Sequence, residues 1–404
     1  MRDASYDVVV AGGSISGLLC AREIAAGGHS VLVVEEDYEI GTPEHCGGLV
    51  SSRGLEELGM IPFGGTLMHR VERARITSPD GTHITIDAKR QNVLCVSRRE
   101  LDKQAAHQAQ RAGADIMIRT SLHERTREGV RISGVGGAAD SNVINCRIMV
   151  DARGAAALAQ RDRDGIIPSA QYEVYADWIE DGRVEVLPDR LKYPGFFAWV
   201  IPSGRGRGRV GAAGRGINAA AALESFLADR GGGDGGRGCC VIRKIFAPIW
   251  IKGPIKRFHD AGSGVITVGD AAGQAKPTTA GGIFSSGMGG ILAGRAISRH
   301  LDGADGGTQD MDGLGDSYRA AWYKQFGGEF ERQSIARRIL ERADNGAIND
   351  VIRRVSPEAL MEISAEDDFD FHVSGIIKLL GAAGTARAAG SMLGAELRRL
   401  IPGQ

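Results

Sequence analysis

The sequence is short of several things that mark common classes of protein. It has no surplus of charge: 49 Lys and Arg face 50 Asp and Glu over 404 residues, a net of −1. That balance argues against a nucleic-acid binder working through a bulk basic surface. Aromatics make up only 5% of the chain. There is no run of about 18 apolar residues, so no segment reads as membrane-spanning. The six cysteines, Cys20, Cys46, Cys95, Cys146, Cys239 and Cys240, show no CxxC or other metal-ligand spacing. Neither a metal site nor a disulfide framework is expected, and a reducing cytosol fits. Polar residues lead straight into an apolar run at the N-terminus, without the regions of a secretory signal. Glycine, by contrast, is abundant: 59 residues, roughly twice its usual share. With 43% hydrophobic residues the chain can bury a sizeable core, and its length predicts two to three domains at roughly 150 residues each.

Residues 6–36 read strand, Gly-rich turn, helix, strand, with Val8–Val10 and Val31–Val34 as continuous apolar runs of the kind found in buried parallel strands. From about 60 to 95, short alternating segments separated by turns such as Pro79-Asp80-Gly81 predict antiparallel strands. A helix is expected over Arg99–Ala112, then strands over Ala114–Ile118 and Arg147–Val150. Residues 168–250 read as a second antiparallel region broken by a helix near Ala219–Ala228. The run Gly264–Val268 returns to the first region, and the Gly/Asp-rich stretch 302–316 reads as a linker into C-terminal helices. The expected fold is therefore α/β: a Rossmann-like dinucleotide-binding domain over 1–60, 95–160 and 255–302, an antiparallel-sheet domain over 61–94 and 161–254, and a helical region over 317–404.

Gly12-Gly13-Ser14-Ile15-Ser16-Gly17 follows a strand and opens a helix, and Glu35 ends the next strand. Gly12 permits the tight turn, Gly17 permits close helix–strand packing, and the residues between present bare N–H groups to a pyrophosphate. Ser14 replaces the usual central glycine; it is compact, and its hydroxyl can donate to phosphate. Glu35 is placed to accept from adenosine ribose hydroxyls. A second signal selects the dinucleotide. Gly264–Val268 leads into Gly269-Asp270 before a helical stretch, where a carboxylate can bind the ribityl hydroxyls of a flavin. Gly281 and Gly282 offer helix N-terminal amides to the isoalloxazine N1/O2 edge, which stabilise negative charge on reduced flavin. FAD is the expected cofactor rather than NAD.

Four segments resemble the archaeal-type geranylgeranyl reductases, within the flavoproteins related to p-hydroxybenzoate hydroxylase. They are Gly12–Gly17 with Glu35; His45-Cys46-Gly47-Gly48; Phe197-Ala198-Trp199-Val200-Ile201-Pro202; and the stretch from Gly269 through Lys276-Pro277-Thr278-Thr279-Ala280-Gly281-Gly282-Ile283. The last separates these reductases from aromatic hydroxylases. Ser14, Phe197, Ile201 and Arg153 depart from the family pattern.

The resemblance implies reduction of prenyl-chain double bonds in membrane-lipid precursors. Arg98 stands where the wider group places a flavin-contacting arginine, and Gly47 and Gly48 let backbone approach the ring. Cys46 is the candidate proton donor or flavin gate, its alternative a buried inert cysteine. Phe197, Trp199, Ile201 and Pro202 are candidates for an apolar substrate wall, with Phe197, Trp199 and Ile201 on one face of a strand. Lys276 and the basic stretch Arg205-Gly206-Arg207-Gly208-Arg209 are candidates for a headgroup phosphate, the latter reading more readily as a solvated hairpin tip. Ile376, Ile377, Leu380, Met392, Leu393, Leu397, Leu400 and Ile401 form apolar stripes beside basic residues, as in a helix resting on a membrane or packing on a core. A cytoplasmic protein, peripheral on the inner membrane face and fed by an external donor such as a ferredoxin or NAD(P)H, is expected. The alternative is an aromatic monooxygenase or halogenase of the same fold.

Overall fold

The computed structural model describes residues 5–135, 142–231, 238–303, 310–365 and 369–371. The two valine runs form the middle of a parallel sheet. Ser5–Ala11 pairs in parallel with Val31–Val34 on one side and Asn142–Asp151 on the other. All four residues of Val31–Val34 are buried, because both sheet faces are covered, and that is why the run is apolar throughout rather than alternating. Asp115–Met117 and Val265–Thr267 extend the sheet in parallel, His259–Asp260 closes one edge, and Thr120–Arg125 with Gly129–Gly134 folds back onto Asn142–Asp151. Three distant stretches of chain thus meet in an eight-stranded sheet.

On one face, Val8, Val10 and Val33 pack with Leu18 and Ile24 of the helix Ile15–Ala26 and with Ile291 and Ile297 of the helix Ile283–Asp302. These helices approach so closely that a Cβ on Gly290 would lie 2.0 Å from the Ser16 carbonyl oxygen, one place where the glycine excess is structural. On the other face, Val9, Leu32 and Val34 pack with Val130 and Ile132 of the folded-back hairpin.

A seven-stranded sheet runs in the order Cys239–Trp250, Ile166–Ala176, Arg207–Ala213, Phe197–Gly204, Arg183–Pro188, Arg73–Thr77, His83–Asp87. It is antiparallel as expected, except that Arg73–Thr77 and Arg183–Pro188 are parallel neighbours. The segments around 67–70 and 93–96 join Leu49–Ser51 in a separate three-stranded sheet.

The few aromatics are concentrated. Tyr318, Trp322, Phe326 and Phe330, at four-residue spacing on the helix Met311–Arg342, are all buried, and Trp322 donates its indole N–H to the Ser285 carbonyl at 3.0 Å. The linker expected over 302–316 is shorter than composition suggested, because this helix begins at Met311 under an Asp310 cap. Gly315 lies within this helix despite the low helix propensity of glycine, and close packing calls for glycine there, since a Cβ would sit 2.1 Å from the His259 ring. The apolar stripes between 376 and 401 lie outside the described residues. No helix among the described residues is long and apolar enough to cross a membrane.

Candidate active site

The turn after the first strand and the strand end at Asp270 open onto one cavity of about 1290 Å³. Gly12 has φ +112°, and a Cβ there would lie 2.4 Å from the Ala152 carbonyl oxygen; a Cβ on Gly17 would lie 2.1 Å from the Gly12 oxygen. Both glycines are therefore demanded by the turn itself. Ser14 caps the helix in an extended conformation and is exposed on the cavity side, making no capping bond with its own side chain. Ser16 is buried against Gly269. The Glu35 carboxylate is held on the cavity wall by N–H donors from Gly13 at 2.7 Å and Asp37 at 2.9 Å. Glu36 and Asp37 line the same end, and burial with the charges of Glu35 and Glu36 raises Asp37 to about 6.

Elsewhere on the cavity wall, in the short helical turn Gly269–Ala272, Asp270 accepts a hydrogen bond from Ser286 at 3.0 Å, and burial raises its pKa although Ser286 and Arg98 act against the shift. Arg98, the first residue of the helix Arg98–Ala112, is bound to Asp102 through one Nη at 2.9 Å, while its buried Nε has no partner. Gly281, Gly282 and Ile283 lie on the wall at the start of a twenty-residue helix. The glycine cradle, the carboxylates at both ends and the unpartnered guanidinium nitrogen fit a long dinucleotide. The cavity exceeds the roughly 300–1,000 Å³ of most small-ligand pockets, leaving room beyond it.

A model of the FAD dependent oxidoreductases matches residues 7–162. A solved geranylgeranyl bacteriochlorophyll reductase-like protein of Thermoplasma acidophilum has the same fold, with a TM-score of 0.82 and 21% identity over 98% of this chain and 100% of that one. The chain is an FAD-dependent oxidoreductase. It is similar to digeranylgeranylglycerophospholipid reductase 1 of Methanopyrus kandleri, 28% identical over 370 residues, covering 87% of this chain and 94% of the relative. It is similar also to digeranylgeranylglycerophospholipid reductase 2 of Methanothermobacter thermautotrophicus, 29% identical over 382 residues, covering 89% and 94%.

In this oxidoreductase the loop His45–Gly48 is clamped from behind by a residue that composition placed at a solvated hairpin tip. Arg209 is in fact 2% exposed. It donates to the Gly47 and Val96 carbonyls, each at 3.0 Å, and to Glu44 Oε1 at 2.6 Å. Glu44 also accepts the Arg98 backbone N–H at 2.7 Å and meets Arg243 at 3.3 Å. Gly48 has φ +78°, and a Cβ there would lie 2.2 Å from Val96 O and 2.4 Å from Arg209 Nη1. This clamp is a structural reason for Gly48, where proximity to the ring was expected. Arg209 pairs with Ile201 inside the sheet, not at the hairpin tip.

The half-buried Cys46 thiol accepts the Gly48 N–H at 3.3 Å and lines the cavity. Cys95 is a different thiol, fully buried, with burial pushing it up to about 11. His45 is exposed.

Phe197, Trp199 and Ile201 line the oxidoreductase's cavity from one strand, as alternation predicts. Ile201 reaches Gly47 so closely that a Cβ on that glycine would lie 2.7 Å from its Cδ1. Pro202, one residue on, is buried off this wall, and Gly17 and Gly269 likewise shape the turns without lining the cavity. Gln171, passed over in the sequence, joins the two parts: it accepts the Trp199 indole N–H at 3.1 Å and donates to the Cys46 carbonyl at 3.2 Å. Lys276 is 5% exposed and ion-paired with Asp370 at 3.1 Å, not offered to an exposed headgroup; no sequence pattern linked these two residues.

Proposed function

We propose that this oxidoreductase saturates the C=C bonds of geranylgeranyl chains in archaeal-type membrane-lipid precursors. The observation that carries this reading is the apolar wall continuing from the Cys46 loop. Its residues come from both edge strands of the seven-stranded sheet and from strands between, running from Ile245 and Ile249 past Trp199 and Ile201 to Val186, Ile76 and Ile86. Six strand spacings of about 4.8 Å give a length of about 29 Å, suited to a long extended chain. Ala336, Ile339, Ile348 and Ile352, from the helices Met311–Arg342 and Asn345–Arg354, line the cavity as well. The named reductase relatives, similar along most of the chain, support the same substrate class.

Bound FAD, kept reduced by an external donor such as a ferredoxin or reduced nicotinamide, would supply the hydride chemistry that an alkene reduction needs. The chain's own residues do the rest. The Gly12–Ser16 turn, Glu35, Asp270, Arg98 and the Gly281–Ile283 amides, all on the cavity wall, would hold the cofactor. The Phe197–Trp199–Ile201 wall orients the chain and excludes water, which matters because an isolated alkene gains positive charge as it is protonated. The Cys46 Sγ holds the proton that the second alkene carbon takes, so hydride and proton together convert C=C to CH–CH. Substrate drawn from a membrane face completes the reading.

The test is anaerobic. Dithionite-reduced protein mixed with geranylgeranyl lipid should reoxidise, and mass spectrometry should find lipid gaining two hydrogens per bond. No reoxidation with any prenyl lipid, together with oxygen consumption stimulated by an aromatic acid, would replace the reductase with a monooxygenase.

A further inference from the structure

A buried ion pair, Lys276 with Asp370, lies beside Gly281 at the start of the cavity-lining helix. Lys276 N–H donates to the Gly281 carbonyl at 2.9 Å, and its Cε and Nζ lie 3.3 and 3.9 Å from where a Cβ on Gly281 would stand. The ammonium is therefore tucked under that glycine. Its counter-charge comes from 94 residues further on: Asp370 Oδ1 is 3.1 Å from Nζ, and Oδ2 accepts the Ser51 hydroxyl at 2.6 Å. The Phe369 ring lies 4.7 Å from the same ammonium. Lys276, Phe369, Gly281 and Gly282 all line the cavity. Replacing a buried pair by apolar residues is often neutral or stabilising, so stability alone does not account for these charges.

We infer that Lys276 sets the reduction potential of the bound flavin and that Asp370 holds that potential down by partly cancelling the lysine charge. The inference rests on the reading that seats the flavin ring at Gly281–Gly282. Two-electron reduction adds negative charge to the ring. A fixed ammonium in a water-poor site favours the reduced form, and a carboxylate beside it opposes this. The N-terminus of the helix Ile283–Asp302 acts in the same direction as the lysine. Lys276 and Asp370 are thus tuning residues that pull in opposite directions.

The experiment is an anaerobic redox titration of the FAD-loaded protein against reference dyes. Lys276→Met should lower the reduced-to-oxidised ratio at fixed poise by tenfold or more, about 30 mV for a two-electron couple. Asp370→Asn should raise that ratio, and the double variant should fall between the two. General loosening of the site would move both single variants the same way, and that result overturns the inference, as do unshifted potentials with FAD still bound. Should Lys276→Met fail to hold FAD, Asp370→Asn decides alone: an unchanged or lowered ratio overturns it. Gly282→Val tests the seat separately. A displaced flavin spectrum supports it, whereas an unchanged spectrum removes the seat and this inference with it.

Discussion

Arg209 offers the most direct physical test of how the cavity is built. Substituting it by methionine keeps much of its volume but deletes the donors to Gly47, Val96 and Glu44. Breaking a buried pair by removing one partner costs about 3–5 kcal/mol. Glu44 keeps the Arg98 amide and Arg243, which moves the expectation toward the lower figure. Two carbonyls lose a donor as well, each worth roughly 1 kcal/mol. The expected loss is therefore about 3–5 kcal/mol, read as a lower urea midpoint at unchanged slope. Adding Glu44→Gln should restore part of it, because the buried charge that has lost its nearest guanidinium partner is then removed as well, so a double-mutant cycle should give a clear coupling energy. The clamp also carries a pH signature. Burial opposes the charge on Glu44, but Arg209, the Arg98 amide and Arg243 outweigh it and hold the carboxyl below its ordinary 4.5. A depressed carboxyl contributes stability that is fully present above its unfolded value and lost as pH falls through its folded one. The wild type should therefore lose stability in acid below about pH 4.5 more steeply than Arg209→Met. A loss under about 1 kcal/mol, or simple additivity with Glu44→Gln, would refute the clamp.

Other substitutions separate cofactor, chemistry and substrate. Gly12→Val forces a side chain onto the Ala152 carbonyl at a left-handed φ, so the purified protein should be colourless; a yellow variant would contradict the phosphate-turn reading. Cys46→Ala should keep FAD absorbance and lose most turnover, and unchanged turnover would reduce Cys46 to packing. Gln171→Leu leaves the Trp199 indole and the Cys46 carbonyl without their partner, at about 1–3 kcal/mol for each unsatisfied group. Its melting temperature should fall and its KM for lipid should rise with FAD retained; an unaltered KM would show that the link does not position the wall.

Much of this protein was legible in contiguous sequence. The Val8–Val10 and Val31–Val34 runs gave away the doubly covered parallel sheet, and Gly12 through Gly17 declared its turn because both glycines answer to backbone geometry within a few residues. Phe197, Trp199 and Ile201 share a wall because a strand alternates every second residue. Composition was less reliable where packing overrode it: the glycines near 313–315 are helical, and Arg209 is buried among its partners. Only the tertiary structure joined Arg209 to Glu44 across 165 positions, and Lys276 to Asp370 across 94. Periodicity and turn chemistry are set by neighbours along the chain, so they can be read from it. Which buried charge meets which is set by the docking of separate elements, and no local spacing encodes that.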